Sequence, residues 1–382
     1  MLSKLKIGLV LDTSLDPSDG VQQYVLAIGG WLSSRGHQVH YLVGQTDKRQ
    51  LPNLHSLAKN ISVKFNGNRT TIPLPTSRSK LRKFLELEEF DVLHVQVPHS
   101  PFMAQRLILA ADDKTAVVGT FHILPYGQVP RLANHALGIW LRPSLKRFDK
   151  MLAVSGAARD FAKESFKIDS DVLPNVVDYS RFKQAKPITN YQGIKLNVLF
   201  LGRLVRRKGC LLLLEAVKQL VDNSGGLPDF RVIICGDGHL RASLEQFVDQ
   251  NKLKGYVEFV GFVDEQRKPS YYASADVAVF PSSGGESFGI VLLEALASSR
   301  GVVLAGDNPG YRSVMNPQPE LLFDPYNPSE LAKKLRTYLS DASLRKTMAS
   351  WGSDYAQQFD ISVVGEKLLA VYQQALRKRR GL

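Results

Sequence analysis

The feature that most constrains this chain is an alternation of short apolar runs with stretches of helical spacing, which runs through once and then starts again. Lys6-Ile7-Gly8-Leu9-Val10-Leu11 is a nearly continuous apolar run, as expected of a strand covered on both faces. Asp19-Gly20 punctuates it, and Val21 to Leu32 carries apolar residues at helical spacing. Further strands are predicted at Val39–Val43, Val92–Val97, Ala116–Phe121 and Met151–Val154. Parallel strands need crossovers, usually helical, so the alternation predicts a doubly wound α/β domain over residues 1–180. Residues 181–195 are polar and read as a linker and hinge. A second α/β domain over 196–358 opens at Leu196–Gly202, with strands predicted at Phe230–Cys235, Val257–Val260, Val277–Phe280, Val302–Leu304 and Leu321–Phe323. Two such domains in succession usually face a cleft, with ligands at the C-terminal ends of the strands.

Composition narrows the partners. The 382 residues carry 49 Lys and Arg against 36 Asp and Glu, a net charge of +13. That balance favours an anionic partner: nucleic acid, an acidic membrane surface or a phosphorylated ligand. Nucleic acid has only the charge in its favour, since no binding module is recognisable. Part of the charge is the tail Arg377-Lys378-Arg379-Arg380, which reads as a solvated end. Two cysteines, Cys210 and Cys235, cannot build a disulfide scaffold and read as core thiols. The start of the chain shows no signal-peptide pattern, and no apolar run reaches the ~18 residues of a membrane span, so a cytosolic protein is expected.

Three segments carry the chemistry. Asp16-Pro17-Ser18-Asp19-Gly20-Val21 joins the first strand to the first helix. A glycine there admits a ligand close to the backbone, and a helix N-terminus offers amides to an anion. Ser18 or Asp19 would equally serve as a plain helix cap. Gly202-Arg203-Leu204-Val205-Arg206-Arg207-Lys208-Gly209 follows a strand of the second domain and holds four cations in six residues. A diphosphate needs such a cluster, because Arg binds two oxygens in a fork and Lys adds a mobile charge. The third segment, Pro281 to Glu294, is a glycine-rich turn with a helix predicted to begin near Ser287. Glu286 then stands at the helix start and Glu294 roughly 800° further round, so both carboxylates can address one neighbourhood. A capping acid and an unrelated glutamate would look the same. His122 ends the strand Ala116–Phe121, at the mouth of the first domain. His37, His40, His55, His94, His99, His135 and His239 show no metal-ligand spacing, and no metal is expected.

These segments, in this order, resemble the retaining family 4 glycosyltransferases of the GT-B fold, over about Ile7 to Tyr372. Glu286 and Glu294 match the family's pair of glutamates eight residues apart, Arg203 and Lys208 its diphosphate pair, and Gly20 its first-loop glycine. Gly284–Val291, Phe90–Val95 and Leu137–Pro143 look closest to the bacterial phosphatidylinositol mannosyltransferases. The resemblance implies a nucleotide-sugar donor, GDP-mannose, and a membrane lipid acceptor such as phosphatidylinositol or a related glycolipid. The alternative is a soluble enzyme that moves a UDP-sugar to a small sugar or polysaccharide.

By the same resemblance Arg203 and Lys208 hold the diphosphate, Glu286 lies over the sugar hydroxyls and Glu294 binds the ribose. Ser287 and the amides of Phe288, Gly289, Ile290 and Val291 meet the distal phosphate and sugar. Val263 reads the base edge, Gly236 lines the same cleft, and His122 contacts the transferred sugar. No cofactor is required, and Mg2+ would reach the site only with the donor diphosphate. The segment 359–382 is expected to cross back to the first domain, and donor binding to draw the two domains together. Asp16 and Gln22 fall in the acceptor region. So do Arg78, Lys80, Arg82, Lys83, Trp140 and Arg142, whose mixture of cations and apolar residues would suit an anionic membrane on the inner face of the cell, or simply amphipathic helices packed on the sheet. Three departures stand out: Val176 and Asp19 occupy common family glycines, and Arg207 a common glutamate.

Overall fold

The computed structural model describes residues 4–16, 19–48, 50–65, 68–124, 129–223, 225–298 and 300–381, and only the backbone of 62–65, 68–72 and 129–136. Pro17 and Ser18 of the first motif, and the side chain of His135, lie outside the described residues. The chain divides into two compact units, residues 1–176 with 361–382, and residues 177–360.

The first unit begins β1 (Lys6–Leu11), α1 (Gly20–Ser34), β2 (Gln38–Val43), β3 (Leu54–Ser56) and the antiparallel hairpin β4 (Asn60–Phe65) and β5 (Asn68–Pro73). It continues with α2 (Arg78–Glu88), β6 (Val92–Gln96), α3 (Met103–Ala110), β7 (Ala116–Phe121), α4 (Val129–Leu145), β8 (Lys150–Ala153), α5 (Gly156–Phe166) and β9 (Asp171–Val172). Its sheet has the order β3-β2-β1-β6-β7-β8-β9, all parallel. Strands such as Val92–Gln96 and Ala116–Phe121 are buried at every residue, which is why they read as unbroken apolar runs.

The second unit runs α6 (Tyr179–Lys183), β10 (Leu196–Leu201), α7 (Cys210–Asp222), β11 (Phe230–Cys235), α8 (Arg241–Gln250), β12 (Val257–Gly261), α9 (Lys268–Ala273) and β13 (Val277–Phe280). Then follow α10 (Ile290–Ala297), β14 (Val302–Gly306), α11 (Pro309–Met315), β15 (Leu322–Phe323), α12 (Pro328–Ser340) and α13 (Ala342–Ala356). Its parallel sheet has the order β12-β11-β10-β13-β14-β15. Both sheets therefore reverse direction of winding once, between β1 and β6 and between β10 and β13. Crevices at such points collect ligands.

The segment 181–195 is not a connector between units. It holds part of α6 and a 3-10 turn at Thr189–Tyr191, within the second unit. The chain passes between units at 176–177 and 360–361 instead, and Val177 pairs with Asp360 in a parallel bridge. The last helix, α14 (Ile361–Arg380), belongs to the first unit, where Val364, Leu368 and Tyr372 join the core of β1 and α1. Its basic end is fastened, although Arg377, Lys378 and Arg380 remain exposed. Arg379 clasps the buried Asp149 at 2.8 and 3.2 Å, and Arg380 reaches Asp91 at 2.7 Å. Cys210 and Cys235 are buried thiols. No helix among the described residues is long and apolar enough to cross a membrane.

Candidate active site

In the second unit the crevice is built by the loops after β10 and β13. The first runs from Gly202 through a 3-10 turn at Arg206–Lys208 to Gly209, which caps α7. The second runs from Pro281 to Gly289, and α10 starts at Ile290, three residues later than predicted. Gly289 sets that limit: its φ of 109° is a left-handed conformation, and a Cβ there would stand 2.7 Å from the Tyr311 ring. Glu286 is therefore a loop residue, and the helical arithmetic that put it on one face with Glu294 does not apply.

What holds Glu286 is charge. Its Oε1 accepts from Arg207 at 2.7 Å, Lys208 at 2.8 Å and Ser282 at 2.9 Å. Burial pushes the carboxyl pKa up, but Lys208 and then Arg207 outweigh it and hold the group ionised, below its ordinary range. Burial lowers the Lys208 pKa against the pull of Glu286, and the charges of Arg207 and Arg203 lower it further. Arg203 thus stands near enough for its field to act on Lys208. The two loops are also tied by backbone, Ser283 N–H donating to the Arg207 carbonyl at 2.9 Å. Arg207, a departure from the family pattern, is an integral part of this cluster.

Glu294 lies in a separate network on α10. It is buried; Tyr272 donates to Oε2 at 2.9 Å and Lys268 stands 3.6 Å from Oε1. Burial raises its pKa despite Lys268, which also meets Glu265 at 2.6 Å. Ser287 precedes Phe288, whose side chain is core and packs edge-on against Phe359. The first-turn amides of α10, at Ile290 and Val291, are of the kind that anions seek. Gly236 has φ 150° with a Cβ position 1.9 Å from the Gly202 carbonyl oxygen, so only glycine lets these loops meet. Val263 is buried at 6% exposure, whereas its neighbour Phe262 is 69% exposed. At this point the apolar surface on offer is Phe262. Sequence reading also missed the role of Ser282, inside the third segment, and missed Tyr272 and Lys268, which carry no motif and meet Glu294 only through tertiary packing.

In the first unit the crevice between β1 and β6 is stitched by Asp12, which accepts from Ser100 Oγ and the Ala104 amide, both at 2.6 Å. Burial pushes its carboxyl up to about 6. Asp16 accepts from Ser14, from Thr46 Oγ1 at 2.6 Å and from the Asp47 amide at 2.9 Å, hydrogen bonds that keep its pKa low despite partial burial. Gln22 is buried and donates to Thr13 Oγ1 at 3.3 Å and the Ser14 carbonyl at 3.2 Å. Both therefore shape the loop that leads to Gly20, the exposed first residue of α1. Asp19 is the N-cap residue of that helix.

His122 follows β7 and is buried. Gln96 donates its amide to the His94 carbonyl at 3.4 Å, which turns Oε1 toward His122 Nε2 at 2.7 Å. Nε2 thus carries the proton. Burial drives the His122 pKa down to about 3, so the ring is neutral at pH 7. Next to Gln96, Val97 has φ 58°, a strained conformation for a β-branched residue and one that clusters at functional sites.

Outside both crevices, α2 buries Leu81 and Leu85 while Arg78, Lys80, Arg82 and Lys83 are exposed. On α4, Ile139 and Trp140 are 67% and 66% exposed. Ile139 lines a cavity of about 400 Å³ between α4 and α5 together with Arg142, Lys146 and Lys167.

Two parallel-sheet α/β units with loops gathered at each winding reversal, one of them carrying a cationic cluster around an ionised glutamate, fit the GT-B class of glycosyltransferases. Comparison with known proteins agrees. Residues 18–181 match the family described as Glycosyltransferase Family 4, and residues 182–354 match Glycosyl transferases group 1. A phosphatidyl-myo-inositol mannosyltransferase of Mycolicibacterium smegmatis is 32% identical over 97% of this chain and 94% of its own length. One of Mycobacterium tuberculosis is 31% identical over 97% of each. Among solved structures, a glycosyltransferase from Rickettsia africae superposes with a TM-score of 0.77 at 18% identity, covering 98% of this chain and 100% of that one. WaaG, a glycosyltransferase of lipopolysaccharide biosynthesis, gives 0.68 at 17% over 96% and 99%. This chain belongs to the family 4 glycosyltransferases, alongside the phosphatidyl-myo-inositol mannosyltransferases.

Proposed function

We propose that the protein transfers mannose from GDP-mannose, with retention of configuration, to a phosphatidylinositol-type lipid at the surface of an anionic membrane. The observation that carries this reading is the ionised Glu286 held by Arg207 and Lys208 where the second unit's sheet reverses winding. A leaving diphosphate gains most from cations already fixed in a partly dry crevice, because they need no reorganisation as charge develops. In this reading Arg203 and Lys208 bind the diphosphate and stabilise it as the glycosidic bond breaks, while the α10 amides take part of its charge. Glu286 accepts from sugar hydroxyls and Glu294 from the ribose. His122, a neutral ring, contacts the transferred sugar.

For the acceptor, the names of the relatives support a phosphoinositide. The exposed cations of α2, the exposed Trp140 and the basic cavity lined by Ile139 and Arg142 support a lipid surface, each cation contributing roughly 1 kcal/mol near such a membrane. A thermal-shift screen against GDP-mannose, UDP-glucose, UDP-N-acetylglucosamine and ADP-glucose tests the donor, since a ligand of the folded state raises Tm by mass action. GDP-mannose should give the largest rise. A larger rise with a UDP-sugar would replace the reading by that of a UDP-sugar enzyme.

A further inference from the structure

On the face of the first unit's sheet that α2 covers, the fold gathers three groups the sequence scatters. His40 is on β2, His55 on β3 and Glu88 in the last turn of α2. His40 Nδ1 stands 2.9 Å from His55 Nε2 and 3.6 Å from Glu88 Oε2, and one ligand atom from each residue lies within 4.8 Å of the others. Ligand atoms about 2.0–2.1 Å from a tetrahedral zinc stand roughly 3.3 Å apart. The two short separations bracket that value. The rings are fixed as well: they are within 2° of parallel, Phe90 sits edge-on to His40 at 5.2 Å and Phe84 to His55 at 4.9 Å.

We propose that His40, His55 and Glu88 form a zinc-type divalent-cation site, completed by water, that fastens the C-terminal end of α2 to the edge strand β3 and its neighbour β2. Lys6 Nζ lies 2.8 Å from Glu88 Oε2, the oxygen that also faces His40, so an arriving cation displaces it from that oxygen. With a cation on one carboxylate oxygen, the other remains for Lys6. Gln38 Nε2 is 3.0 Å from His40 Nε2. Coordination at Nδ1 moves the His40 proton to Nε2, and a turned Gln38 amide accepts it through Oε1. Metal-bound imidazoles require an outer partner of this kind. His55 and Glu88 are half-buried, which gives the water access. None of these residues serves sugar transfer in the reading above, and the site stands whether or not that reading does.

The test uses the full-length protein, stripped with EDTA, desalted and titrated with zinc chloride by calorimetry. One equivalent should bind per chain and raise Tm with concentration, and cobalt(II) in its place should give the strong visible bands of a four-coordinate centre. His55→Asn and Glu88→Gln should each weaken zinc binding at least roughly ten-fold, and Gln38→Ala by about ten-fold, with His239→Asn, an exposed histidine elsewhere, without effect. Tm in EDTA reports whether each variant folds, and the wild-type cobalt spectrum decides independently of any variant. No saturable equivalent in the wild type, a six-coordinate cobalt spectrum, or folded His55 and Glu88 variants that bind as tightly as wild type would overturn the site.

Discussion

Glu286 receives Arg207, Lys208 and Ser282 on a single oxygen, so these residues act as a unit. On the proposed reading Arg203→Ala and Lys208→Ala each remove a charge-assisted diphosphate contact of about 1.5–3 kcal/mol, roughly 10- to 150-fold in kcat/KM. Unchanged kinetics in both would remove the diphosphate assignment. Because Lys208 and Glu286 touch, the Lys208→Ala and Glu286→Gln losses in unfolding free energy should not add. A coupling of about 0.5–3 kcal/mol is expected in a double-mutant cycle, whereas additivity would mean the pair is not formed. Glu286→Gln should impair transfer more than it weakens GDP binding, and Glu294→Gln should weaken GDP binding itself. Calorimetry giving the opposite order would exchange their roles. The sequence held both glutamates, Arg203 and Lys208 in view. It did not reveal that Arg207 completes the cluster, because pairing across two loops depends on the sheet order that brings β10 beside β13.

At the scale of elements, the fully buried strands were legible because burial on both faces writes itself as an unbroken apolar run. β9 and the β4–β5 hairpin were not, being short or rich in polar residues. The start of α10 was misjudged because a left-handed Gly289 stops helix where residue preferences alone would allow it. The attachment of the basic tail was hidden for a related reason: Asp149 and Asp91 lie more than two hundred residues away and become partners only when α14 docks. Arg379→Ala should lower the stability of the first unit by about 1–3 kcal/mol, read as a lower Tm, since it strips the buried Asp149 of its closest cation. No change would mean the clasp contributes nothing.

The same unit should weaken in acid. Burial holds His94 and His122 down to about 3 and His99 to about 4, from an ordinary 6.5. Unfolded histidines take up protons first, so stability is full above about pH 6.5 and is lost as pH falls toward 3. By pH 4.5 each should have cost on the order of 2 kcal/mol. Urea midpoints from pH 7.5 to 4.5 should fall accordingly, and less steeply in His94→Gln. A flat profile would mean these rings are not held neutral.

At the scale of the whole molecule, family membership makes the chain a glycosyltransferase, and on the proposed reading its net charge of +13 suits an anionic donor and an anionic lipid acceptor. Reversing Lys80, Arg82 and Lys83 together to glutamate should abolish co-sedimentation with anionic liposomes while leaving the GDP-mannose thermal shift intact. Sedimentation as in the wild type would remove α2 from the membrane reading. The most direct test of the account is transfer itself: radiolabelled GDP-mannose, the full-length protein, and liposomes with or without phosphatidylinositol. The account predicts label in the lipid fraction only with phosphatidylinositol present, in an α-linkage, and lost in Lys208→Ala. Label absent from lipid under saturating donor, or incorporated equally from UDP-glucose, would contradict it.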